Sequence, residues 1–512
     1  MYVLSGGYLT QLRDPLTRAW HEPGAIGRGY TVHRVRTDSV TVPARAFTTT
    51  FGDRALFGQK REIPVPTRDS GLYDASSLVG GRAQRGTMSG SAPPAPKRLD
   101  DLGDPQFSSE AQAIFDGAAP FADMIELNAD ALMTQAAAET GLENFGPMDF
   151  VERLEVLLHC FETEAPLSPM GRISAASLMG TLLKNRLLLA DLLARHPEIH
   201  DIDIKAPMVI AGLPRTGTTH LHNLIACDPA LRSLPYWESN QPVPSIDEAS
   251  LANTPDDPRL ARTEAGLQIM ELIMPDFNRM HEMTTWHVHE EIQILAIDFS
   301  TMMFETMAPM PTWRDYYKSH DQTPHYEYMK TVLKACQFLR GGERWILKSP
   351  QHLEQFGPLA TTFPDATFLV THRDPISVMV SMGTMVSYSA RTSLSPVDPV
   401  AISNYWADRL DDMLNAAMRD RALLGGPDQS MDIRFDEFMG DDLGTIRRIY
   451  ELAGQPMDER AEAALANYGA THERDRFGKV IYDVDQIGID VPARRKQMRA
   501  YSEHFAIPDE PW

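Results

Sequence analysis

The chain has 512 residues, 43% of them hydrophobic and 23% charged. That is an ordinary globular composition, at a length that suits two to four domains or one large α/β domain with additions. A net charge of −22 excludes bulk attraction to nucleic acid or to an anionic membrane surface, so any anionic ligand has to be held by a local cluster of donors.

Residues 1–104 read as a basic, disordered extension. Residues 1–100 carry 14 Lys+Arg against 8 Asp+Glu, and residues 1–87 hold one methionine, Met1, and one lysine, Lys60. Translation from Met88, ahead of the flexible run Ser89-Gly90-Ser91-Ala92-Pro93-Pro94, is the expectation. The first residues lack the basic and apolar pattern of a secretory leader. Cys160, Cys227 and Cys336 are too few and too far apart for a disulfide framework or a structural zinc site, which suits a cytoplasmic setting. The most apolar stretch, Thr181 to Ala194, is interrupted by Lys184, Arg186 and Asp191, so no transmembrane segment is expected.

Residues 105–204 read as a helical region. Ser108 and Ser109 are candidate caps. Phe150, Leu154, Leu157 and Leu158 recur at helical spacing, as do Leu182, Leu183, Leu187 and Leu193, and Pro166 to Gly171 is a break. The character changes over residues 205–512. Short apolar runs at Pro207–Ala211, Trp345–Leu347 and Thr367–Val370, with a weaker one at Met431–Arg434, suit buried parallel strands. Helical patterns such as Tyr326–Leu339 and Ile402–Leu424 alternate with them. The expected fold class is α/β: a P-loop-like parallel sheet flanked by helices, with a helical N-terminal layer.

The segment Gly212-Leu213-Pro214-Arg215-Thr216-Gly217-Thr218-Thr219 follows the first strand and leads into an apolar helical stretch. Glycines allow a tight turn of bare amides, the helix start adds free donors and partial positive charge, and Thr218 and Thr219 add hydroxyls. Gly212 and Gly217 have the spacing of a Walker A loop, but Thr218 stands where that loop needs lysine and the cation has moved to Arg215, which counts against a nucleotide-dependent kinase.

Pro214-Arg215-Thr216-Gly217-Thr218-Thr219 resembles the 5′-phosphosulfate loop of the sulfotransferases that use 3′-phosphoadenosine 5′-phosphosulfate (PAPS). The arginine is similar to the protein-tyrosine and bacterial branches. The resemblance continues through Asp228-Pro229-Ala230, Trp237-Glu238, Lys348-Ser349-Pro350 and Arg373-Asp374-Pro375 to near Tyr482, about residues 105–505 in all. It implies PAPS as co-substrate, no metal, and transfer of a sulfuryl group to a hydroxyl or amine. Arg373 and Ser381, eight positions apart, would hold the 3′-phosphate: arginine offers a planar fork for two oxygens, and a hydroxyl two helical turns on can reach a third. Arg215 and Lys348 would meet charge on the leaving phosphate. Glu238 matches the family's glutamate base, with His352 as a second candidate. Arg476 and Lys479 would close over the 3′-phosphate or form a solvated basic turn.

His281, His287, His289, Glu290 and Glu291 cluster in sequence; acceptor-pocket lining or plain surface is favoured over a metal site. The methionine- and aromatic-rich stretch Gly266 to Asp315 hints at a small apolar acceptor. The alternatives to turnover are a kinase on the same fold and a protein that binds 3′,5′-adenosine bisphosphate (PAP) without catalysis.

Overall fold

The computed structural model describes residues 93–472 and 475–512. Expectations that fall on residues 1–92, including translation from Met88, lie outside the described residues. Four helices, Ser109–Ala122, Ala129–Thr140, Phe150–Thr163 and Pro169–Arg195, form the helical layer. Ser108, Asn128 and Ser168 each cap a helix by accepting from an amide three residues on. The break expected at Pro166 to Gly171 is thus the capped start of the longest helix among the described residues, with Pro169 in its first turn.

Phe150, Leu154, Leu157 and Leu158 form a buried stripe. On the last helix Leu182, Leu183 and Leu187 are buried, and Leu192 rather than Leu193 continues the stripe. The layer is tied to the rest of the molecule at Asp298. Its carboxylate takes Arg153 at 3.0 Å, Arg186 at 2.6 Å and His325 at 2.6 Å, all buried. Truncating one partner of such a cluster leaves an uncompensated charge, which costs about 3–5 kcal/mol.

The central sheet has five strands, β2 (Met208–Gly212), β3 (Leu231–Arg232), β4 (Arg344–Ser349), β5 (Thr367–His372) and β6 (Ser430–Arg434), in the order β3-β4-β2-β5-β6 and parallel throughout. All four apolar runs of the sequence are strands here. β3, at two residues, is too short to announce itself. β2 and β5 are buried along their whole length because helices cover both faces, so they read as continuous apolar runs. Met208, Ile210, Ile346 and Leu369 pack with Leu221, Leu224 and Ile225 of helix Thr218–Ala226 and with Ile446 and Ile449. Each such side chain contributes about 1.5–3 kcal/mol through burial. The helical patterns at Tyr326–Leu339 and Ile402–Leu424 appear as helix Thr323–Arg340 and as helix Pro399–Asp420 with a tighter turn after it.

One boundary differs from the sequence reading. Residues 93–104, assigned there to the extension, take part in the fold. Strand β1 (Lys97–Arg98) pairs in parallel with β7 (Val480–Ile481), Lys97 bridges to Asp276 at 2.6 Å, and Leu99 and Leu102 are buried. Two leucines among six residues are too few to show a period, so composition alone groups this stretch with the basic residues before it. No helix among the described residues is long and apolar enough to cross a membrane.

The strand order sets the position of the site. β2 lies in the middle, and its neighbours β4 and β5 both come much later in the chain. The carboxyl ends of the three strands therefore lie side by side at a topological switch point, where open α/β sheets bind ligands.

Candidate active site

β2 ends at Gly212, opposite Thr371 of β5. A Cβ on Gly212 would stand 1.8 Å from Thr371 Oγ1, so only glycine lets the two strand tips approach this closely. The approach lets Thr216 Oγ1 bond both the Leu213 carbonyl and Thr371 Oγ1, each at 2.7 Å. Gly217 closes the loop at φ +84°, the left-handed region. No side chain caps the helix Thr218–Ala226 that follows, which leaves its first-turn amides to a ligand. Thr218 is buried and Thr219 half-buried at this helix start, and Pro214 precedes the cation.

Arg215 adopts φ +71°, unusual for a non-glycine residue and typical of ligand clamps. Its Nε donates to Ser381 Oγ at 2.9 Å, and its Nη1 to the Met280 carbonyl. On the neighbouring strand tip Arg373 directly follows β5. Its Nη1 donates to the Arg215 carbonyl at 2.7 Å, and its guanidinium lies 4.1 Å from the centre of the Phe435 ring. The adjacent Asp374 does not pair with it. Asp374 caps helix Pro375–Ala390 and takes Arg495 and the Glu510 amide instead. Ser381 lies two turns into that helix and also bonds the Tyr482 hydroxyl at 2.8 Å. The loop after β2 and the arginine after β5 are therefore one continuous group of donors.

Lys348 lies on the other side of β2, opposite Ile210. It is 2% exposed; its Nζ pairs with the Glu290 carboxylate and its amide donates to Glu291 Oε2 at 2.6 Å. Residues 207–459, which contain all three strand tips and the loop, match the Sulfotransferase family. The part of the chain that builds the site belongs to the sulfotransferase family.

The curated relatives of this sulfotransferase include the omega-hydroxy-beta-dihydromenaquinone-9 sulfotransferase Stf3 of Mycobacterium tuberculosis. It is 24% identical over 302 residues, which cover 55% of this chain and 71% of the relative. Among solved structures, sulfotransferase STF1 from Mycobacterium tuberculosis H37Rv is 27% identical with a TM-score of 0.64, covering 72% of this chain and 98% of that one. Sulfotransferase STF9 from Mycobacterium avium is 26% identical with a TM-score of 0.67, covering 76% and 99%.

Several residues chosen from the sequence sit otherwise in this sulfotransferase. Glu238 is 2% exposed, and both its oxygens are taken: Arg232 Nη2 reaches them at 2.7 and 2.8 Å, and Arg340 at 3.0 and 2.7 Å. Burial pushes its carboxyl up and Arg232 opposes the shift. A carboxylate clasped by two guanidiniums has no lone pair left for an acceptor proton, so this geometry argues against Glu238 as the base. The carboxylate beside Lys348 is Glu290. The sequence brought Glu290 to notice only as part of a histidine-rich run, because nothing local says that this run folds back onto β4.

His352 is fully buried, bonds the Tyr326 hydroxyl through Nδ1 at 2.9 Å, and has its pKa taken down to about 3 by burial and then by Lys348. Its other ring nitrogen lies 3.5 Å from Glu291 Oε2, so both nitrogens face buried side chains. Arg476 pairs with Glu282, two residues from the carbonyl that receives Arg215. Lys479, with 64% of its side chain exposed, pairs with Asp475 at 3.2 Å, which is the solvated turn.

The histidine run borders Lys348. The rings of His281 and His287 are 5.3 Å apart and those of His287 and His289 are 5.7 Å apart, on a segment bridged to Pro235 through Val288. His222, from helix Thr218–Ala226, lies behind β4 with its pKa lowered to about 3 by burial and by Lys348; burial and nearby cations bring His281 to about 4. Neutral imidazoles therefore surround the Lys348–Glu290 pair. Buried His287 Nε2 and His289 Nδ1 have no protein partner. Among the described residues no three His, Cys, Asp or Glu side chains are grouped to hold a metal ion.

Proposed function

We propose that this sulfotransferase moves the sulfuryl group of PAPS to a hydroxyl or amine of a small apolar acceptor, in a reducing cytoplasm. The observation that carries the reading is the contact between the two cationic corners: Arg373 bonds the Arg215 carbonyl at 2.7 Å, and Arg215 bonds Ser381 at 2.9 Å. One adenylate with phosphates at both ends fits this arrangement. The loop Pro214–Thr219 would take the 5′-phosphosulfate, and Arg373 with Ser381 the 3′-phosphate, with Arg476 at the margin. A mononucleotide kinase has no use for the second corner.

In the proposed reaction the acceptor oxygen or nitrogen forms a bond to sulfur while the bond from sulfur to the phosphate oxygen breaks. Charge on the departing PAP is met by Arg215, Lys348 and the helix amides. Glu290, already on Lys348, takes the acceptor proton once the lysine turns toward the leaving phosphate. The His287 and His289 nitrogens supply polar contacts to the acceptor, and buried Met280 and Met283 lie in the segment leading to them. Stf3, as an omega-hydroxy-beta-dihydromenaquinone-9 sulfotransferase, supports an apolar hydroxylated acceptor of similar character.

The test is thermal stabilisation by PAP, ATP and GTP for the natural chain and for Arg373→Ala, followed by sulfur transfer from labelled PAPS. PAP should stabilise strongly, and Arg373→Ala should abolish most of that. Equal stabilisation by ATP would revive a kinase, and PAP binding with no turnover on any phenol, alcohol or amine would leave a binding protein.

A further inference from the structure

The fork of Arg373 is occupied. Glu510 Oε1 receives Nε at 2.6 Å and Glu510 Oε2 receives Nη2 at 2.7 Å, the bidentate geometry that arginine also offers a phosphate. The geometry points to Glu510 as an internal competitor for the nucleotide's 3′-phosphate, a latch that must release Arg373 before PAP or PAPS can be held there. The inference rests on the nucleotide reading above.

Three features separate a latch from an incidental ion pair. The segment carrying Glu510 is docked on the start of helix Pro375–Ala390 by contacts that do not involve Arg373. The Glu510 amide donates to Asp374 Oδ2 at 2.9 Å, its carbonyl accepts from Arg495 at 3.0 Å, and Trp512 Nε1 donates to Ser377 Oγ at 2.8 Å. The backbone can therefore stay in place while the side chain turns about its own torsions. The side chain has a way out, since 30% of it is exposed. Finally, the carboxylate and a 3′-phosphate carry the same sign, so the two cannot share one guanidinium fork. Nucleotide binding must drive Glu510 into water, and departure of PAP lets it return.

The apparent dissociation constant of a ligand is its intrinsic value divided by the fraction of open sites. A partly exposed bidentate pair lies above the weakest surface pairs and below a buried one, which corresponds to roughly a three- to tenfold reduction in apparent affinity. The experiment is calorimetric titration of the natural chain, Glu510→Ala and Glu510→Gln with PAP and, separately, with AMP, which lacks the 3′-phosphate. The glutamine variant keeps the shape of the side chain and guards against misfolding of the alanine variant. PAP should tighten by roughly three- to tenfold in both variants while AMP affinity stays the same. PAP affinity that is unchanged or weaker in the variants, or equal tightening of PAP and AMP, would overturn the latch while leaving the nucleotide reading intact. Failure of all three proteins to bind PAP would remove both.

Discussion

Replacing Gly212 with alanine tests the geometry on which the loop depends. The new methyl would lie 1.8 Å from Thr371 Oγ1, 2.9 Å from Thr218 Cγ2 and 3.1 Å from Thr371 Cβ, all within the buried meeting of β2 and β5. Thr371 cannot stay where it is, so its 2.7 Å bond to Thr216 is lost. Overpacking costs about 1–3 kcal/mol and the hydrogen bond about 1 kcal/mol, for a total of roughly 2–4 kcal/mol. Urea unfolding reads this loss directly. Adding Thr371→Ala removes the closest clash but leaves the 2.9 and 3.1 Å contacts, so the double variant should recover about half. PAP affinity should fall with the single variant, because the loop amides shift with Thr216. A Gly212→Ala protein with unchanged unfolding midpoint and unchanged PAP affinity would refute the reasoning.

Other perturbations separate the remaining roles. Glu290→Gln should lower kcat by about 10²–10⁴ with little change in PAP affinity, whereas Glu238→Gln should chiefly destabilise the fold, by about 3–5 kcal/mol, since it leaves Arg232 and Arg340 without their counter-charge; steady-state kinetics with unfolding curves on both variants checks the pair. Arg409→Met should also destabilise without touching PAP binding, because Arg409 is fully buried between Glu305 and Glu354, and chemical denaturation alongside calorimetry would show the split. Acid should weaken the fold from below about pH 6.5. His222 and His352 are held near pKa 3, so each contributes stability that is complete above the unfolded value and lost at about 1.4 kcal/mol per pH unit as pH falls toward 3. His287 and His289 add to the loss, and Glu291, whose carboxyl burial pushes well up, works the other way. Urea midpoints at pH 7, 6 and 5 should decline in order.

The sequence by itself determined four of the five strands of the central sheet, the loop and the order in which they come. Buried parallel strands are continuous apolar runs, and a phosphate loop needs glycines at fixed spacing beside a helix start, so Gly212, Gly217 and Arg215 carry their message locally. Arg373 and Ser381 stood out through the family resemblance, which their places at a strand end and two turns along the next helix fit. The tertiary structure alone decided which carboxylate meets which cation. In the chain, the resemblance marks Glu238 as a base, and Glu290 stands out only within a histidine-rich run. Glu238 is drawn into Arg232 and Arg340, while Glu290 folds back 58 residues onto Lys348. Glu510 stands 137 residues from the arginine it occupies. Charge pairing is set by distance in space, which short-range pattern does not encode, so the cations were readable from the sequence and their partners were not.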